Sequence, residues 1–127
     1  AVNSKAISKY KEIIKDAKNL PQDNETVSYI LGKTYCNLAR AELRKAQNNG
    51  EVSKGTANRI MGYLDSAGKD PRFKAEALGI EGRLLDLQGN HSQARDKYTQ
   101  AITGRKSEIQ RLNSELAALN TIGAKTD

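Results

Sequence analysis

Apolar residues recur along this chain at three- and four-residue intervals and almost never in alternation, which predicts helices nearly throughout and no strand. Residues 4–19 place Ala6, Tyr10, Ile13, Ile14 and Ala17 on one face and lysines on the other, an amphipathic leading helix that Leu20-Pro21 ends. Asp23-Asn24-Glu25 supplies a cap and an acidic first turn for the next helix. That helix carries Val27, Ile30, Leu31, Tyr35, Leu38, Ala39, Ala41 and Leu43 and ends at Asn48-Asn49-Gly50. A third helix, near Ser53–Ala67, turns Ala57, Ile60, Met61 and Leu64 inward. Asp70-Pro71 starts a fourth, since Asp caps and Pro fits the first helical turn, and it runs to about Leu87. After Gly89-Asn90 comes a fifth. In the tail, Ile109, Leu112, Leu116 and Leu119 are spaced three, four and three, with Ile102 seven residues ahead of Ile109, a heptad-like seam.

Two stretches share a finer pattern. In the later one, Leu78, Gly82 and Leu85 fall on one helix and Ala94, Tyr98 and Ala101 on the next, with Gly82 and Ala94 twelve residues apart. A small residue in mid-helix lets a neighbouring helix approach, and the apolar residues around it fill the remaining space. The earlier stretch sets Leu31-Gly32 and Tyr35 against Ala57, Met61 and Leu64, with a longer separation, and Ala6, Tyr10 and Ile13 look like the second helix of a preceding unit. The pattern resembles the tetratricopeptide repeat, whose units are helical hairpins of this kind. The fold that the resemblance implies is all-α: antiparallel hairpins stacked as a short right-handed solenoid, one domain over residues 1–127. It comprises a leading helix (4–19), a degenerate repeat (25–68), a clearer repeat (71–106) and a C-terminal capping helix (107–122). A non-repetitive helical bundle is the alternative. The tail seam reads as a cap over the last repeat or as a face that pairs with another subunit.

In the family, the first helices of the repeats line a groove that takes a peptide segment. Carried onto this sequence, that arrangement puts Tyr29, Lys33, Cys36 and Asn37 on one wall and Glu76, Arg83, Asp86 and Leu87 on the next. The candidate partner-binding residues are therefore Tyr29, Lys33, Asn37, Arg83, Asp86 and Leu87. Lys33 and Asn37 lie one turn apart, able to share a carboxylate, and Arg83 adds a forked contact. The bland alternative for each is a solvated charge on a helix face.

Composition narrows the classes. Charged residues make up 28% of the chain and aromatics 5%, with no Trp, which suits a thin helical stack better than a deep core. The formal charge of +6 is spread along the chain, with its densest part in Lys5, Lys9, Lys11, Lys15 and Lys18. That cluster keeps a nucleic-acid-binding reading open, weakened by the lack of spare aromatics for stacking. A single Cys and a single His give neither a disulfide framework nor a metal-ligand set. No apolar run approaches a membrane span. His91 sits at a turn, Cys36 on an apolar helix, and the Gly50–Gly55 segment lacks the strand and spacing of a phosphate loop. No catalytic residue, cofactor or small-molecule substrate is expected. The reading is a non-enzymatic scaffold or adaptor that binds a protein or peptide with acidic groups. A structural oligomerisation module, a homo-oligomer through Ile109, Leu112, Leu116 and Leu119, is the alternative. The compartment stays open: a chain beginning at Ala1 is compatible with the cytoplasm, or with the cell envelope if a signal or lipid anchor was removed.

Overall fold

A computed structural model describes residues 2–126, with side chains from 3 to 123. Five helices follow one another: α1 (Val2–Lys18), α2 (Glu25–Asn48), α3 (Lys54–Ala67), α4 (Lys74–Leu87) and α5 (His91–Thr126), with a single 3-10 turn, Pro71–Phe73, ahead of α4. No strand occurs among the described residues. The caps explain the boundaries. Asn24 Oδ1 accepts from the amides of Thr26 and Val27 at the start of α2, and Ser53 Oγ accepts from Thr56 at the start of α3. The α2–α3 and α4–α5 links turn on Gly50 and Gly89, whose φ angles of 82° and 83° disfavour a side chain.

Each helix packs on its sequence neighbours, and α2 also lies against α4. The core between them is formed by Ile7 and Ile14 from α1, Leu38, Ala39 and Leu43 from α2, Ile60 and Leu64 from α3, and Ile80 and Leu84 from α4. Burial of Ala17, Tyr35, Ala57 and Leu64 agrees with the faces expected from the sequence; in α1, however, Ile7 is buried while Ala6 and Tyr10 are only partly so.

Two glycines let elements meet closely. A Cβ on Gly82 would lie 2.7 Å from Tyr98 Cε1, so Gly82 faces the α5 ring. Gly32 has a different partner. A Cβ there would lie 2.7 Å from Phe73 Cε2 and closer still to Cδ2. Phe73 is buried and comes from the 3-10 turn that opens the following hairpin, not from α3. The ring fills the hollow over Gly32 and stacks obliquely on Tyr29, centroids 5.2 Å apart.

Two sequence expectations need correction. The fourth helix does not begin at Pro71, because Asp70 caps a 3-10 turn and α4 starts only at Lys74. Nor is there a separate capping helix over 107–122: those residues continue α5 as one helix of 36 residues. Ile102, Ile109, Leu112, Leu116 and Leu119 are 49–65% exposed, so the seam packs on no other element among the described residues. Gly104 is helical within α5 and packs against Ala75.

Asp70 ties the turn to the rest of the molecule. Its carboxylate accepts from the Arg72 amide at 2.9 Å, from Arg72 Nη2 at 2.6 Å and from Ser28 Oγ of α2 at 2.8 Å. The Arg72 side-chain hydrogen bond outweighs burial and holds the carboxyl at about 2, below the ordinary carboxylate range. A carboxyl depressed in the folded state stabilises it above the unfolded value, and that contribution is lost as pH falls toward the folded one. Urea titrations are therefore expected to show stability falling between about pH 4 and pH 2, with Asp70→Asn removing part of that dependence. An identical pH slope in the variant would mean that Asp70 contributes nothing to acid sensitivity.

Candidate functional site

The facing walls of α2 and α4 meet at Glu76. Lys33 Nζ lies 3.6 Å from Glu76 Oε1, and Arg40 Nη2 lies 2.9 Å from Oε2, close enough for an ion pair but not aligned as a hydrogen bond. Burial works against the charge on Glu76, but the adjoining Arg40 and Lys33 cations more than offset it, and the carboxyl titrates below its ordinary value. Arg40 also donates from Nη1 to Asn37 Oδ1 at 3.2 Å. The Cys36 thiol sits beneath this cluster, fully buried, and burial together with the negative Glu76 pushes its pKa up to about 12. A thiol in that state is inert as a nucleophile at neutral pH.

Beside the cluster, a cavity of about 370 Å³ opens between α2, α4 and α5. Its apolar lining is Ile80, Tyr98, Ala101 and Ile102, and its charged lining is Arg40, Glu76, Arg83 and Arg105. Arg40 is engaged with Glu76 and Asn37, whereas Arg83 and Arg105 take part in no ion pair or side-chain hydrogen bond among the described residues. The site thus offers two uncommitted guanidiniums over an apolar floor. That chemistry suits a carboxylate attached to an apolar body.

The structure brings together only some of the residues expected from the sequence. Arg83 lines the cavity. Lys33 and Asn37 share the groove, but each is occupied from within the chain, Lys33 by Glu76 and Asn37 by Arg40. Tyr29, 46% exposed, lies further along α2 under the Arg72 guanidinium, 5.2 Å above its ring. Asp86 faces His91, Oδ1 to Nδ1 at 2.6 Å, at the far end of α4. Leu87 is half-exposed there and does not line the cavity. Arg40, Arg105 and Ile102 were missed as site residues. Arg40 was within reach, since it lies seven residues after Lys33 and so on the same helical face. Arg105 and Ile102 were not, because their place in the groove depends on how α5 packs across α4 and α2, which spacing along one helix does not show.

Among the described residues, no group of three or more His, Cys, Asp or Glu side chains is placed to hold a metal ion, and no helix is long and apolar enough to cross a membrane. No family model, curated protein or solved structure matches the chain.

Proposed function

We propose that the chain is a non-enzymatic interaction module that holds a peptide or protein segment in the groove between α2 and α4. The observation that carries this reading is the cavity with two uncommitted arginines above Ile80, Tyr98 and Ile102. A solenoid of the tetratricopeptide type is supported by three features: the run of neighbour-on-neighbour helices, the extra contact of α2 with α4, and the close approach of Gly82 to Tyr98. In such a stack the first helices of successive hairpins lie side by side and form one wall of a groove. The occupant is a segment with an acidic side chain or a terminal carboxylate next to an apolar residue. The charge fixes its position and the apolar contact supplies most of the affinity.

Arg83 and Arg105 hold no partner among the described residues, so charge reversal at both is expected to leave thermal stability nearly unchanged. Screening an array of ten-residue peptides with free C-termini should yield binders enriched in acidic and apolar residues. Arg83→Glu with Arg105→Glu should weaken those binders about tenfold or more, corresponding to about 1.4 kcal/mol or more, through lost attraction and added repulsion. The same binders should also weaken as salt is raised. Binders with no acidic preference, or unchanged binding by the double variant, would place the functional surface elsewhere.

A further inference from the structure

The face of α5 that packs on α4 is the row of buried Ala94, partly buried Tyr98 and buried Ala101. It reaches the start of α4 at Gly104, which lies against Ala75. Helical geometry carries the same row onward through Arg105, Ile109, Leu112, Leu116 and Leu119, all within one narrow stripe. The four apolar members and the neighbouring Ile102 are 49–65% open to water. The stripe therefore continues the α4–α5 interface past the start of α4, into a stretch where no helix among the described residues lies beside α5. At the corner where α4 begins, Pro71, Ala75, Leu78, Thr103 and Ile109 line an open groove of about 720 Å³.

We infer that this stripe is covered by the same stripe of a second copy of the chain, running antiparallel. Leu116 of each copy lies level with Leu112 of the other, and Leu119 level with Ile109. The second copy's α5 then continues the line of α4, which already runs antiparallel to α5, and its distal turns fill the corner groove. Both copies use the same surface, so the contact closes about a two-fold axis and leaves no open end.

Area and charge both favour this occupant. With roughly 100 Å² open on each of Ile109, Leu112, Leu116 and Leu119, two copies cover roughly 800 Å² of apolar side chain, and the flanking residues bring the total toward the roughly 1,000 Å² that a specific interface needs. Orientation follows from Arg105, which occupies a seam position. In a parallel pair it would meet its own copy, like charge against like, whereas the antiparallel pair sends the two arginines to opposite ends. On one flank, Arg111 bridges Glu108 and Glu115 within its own helix. Reversal brings Arg111 of one copy about 3 Å along the axis from Glu115 of the other, giving the like-charged Glu115 pair a shared counterion. On the opposite flank Asn113 faces Asn113, where an amide can both donate and accept.

Light scattering on the full chain at tens to hundreds of micromolar is expected to give twice the 13.9 kDa chain mass. Leu112→Lys with Leu116→Lys is expected to give a single-chain mass with helical circular dichroism retained, because both side chains are exposed in one copy. Under mild oxidation Asn113→Cys should link two copies and Arg105→Cys should not, with the fully buried Cys36 silent in both. A single-chain mass at every concentration would overturn the inference, as would a dimer that survives the double lysine variant. Cross-linking through Arg105→Cys in place of Asn113→Cys would overturn the antiparallel arrangement.

Discussion

Phe73→Ala is expected to destabilise the fold by about 3–5 kcal/mol, the range for deleting a buried aromatic ring. That is a large share of the roughly 5–15 kcal/mol that holds a domain of this size together. The ring is buried, lies over Gly32 on α2 and makes an oblique stack on Tyr29. Its removal leaves a hollow that neither helix fills by itself, because Gly32 has no side chain to move into it. The loss extends to the neighbouring electrostatics, since Arg72 lies over the Tyr29 ring and is bonded to Asp70. Urea denaturation followed by circular dichroism gives the number. A loss below about 1 kcal/mol would mean that the α2–α4 contact does not depend on the ring.

The same residue shows where the sequence was legible and where it was not. The first four helices and their links could be read closely from period and local chemistry, because Asn24 and Asp70 act within a turn of where they stand. The Gly82–Tyr98 contact was readable too, because both residues belong to one hairpin and a short link fixes their register. Phe73 was not. It stands outside any helical stripe, and its partner Gly32 is 41 positions away, so only the packing of one hairpin on the next reveals it. The same spacing argument gave Gly32 a partner in α3, and that assignment failed because the α2–α3 pair departs from the spacing of the later hairpin.

The groove was half legible for a related reason. The family resemblance sets Lys33, Asn37, Glu76 and Arg83 on facing walls, and in the structure Lys33 Nζ lies 3.6 Å from Glu76 Oε1. What spacing cannot show is which charges are already satisfied. Lys33 and Arg40 spend their charge on Glu76, while Arg83 and Arg105 keep theirs. The tail failed on a different point. A heptad pattern indicates that a helix has an apolar stripe but not which surface covers it. Here, the helix runs straight on from the α4 contact, and its stripe remains open.

Gly32→Leu and Gly82→Leu, although both put a leucine where a ring now sits, should differ in cost. Overpacking costs about 1–3 kcal/mol when neighbours yield and more when they cannot. Tyr98 is only partly buried, so its ring has room to swing outward when a side chain grows from Gly82, and a loss of about 1–3 kcal/mol is expected. Phe73 is 5% exposed and held against Gly32 and Tyr29 of α2, and its Cδ2 lies closer to the Gly32 position than any Tyr98 atom does to Gly82. Gly32→Leu should therefore force α4 and its turn away from α2, costing about 3 kcal/mol or more and opening the groove at Glu76. Paired with Phe73→Ala, it should recover part of that loss, because the leucine would occupy the vacated space; the two single losses would then not add. Strict additivity in that double-mutant cycle, or a Gly82 variant that loses more than the Gly32 one, would contradict the assignment of Phe73 as the wedge between the two hairpins.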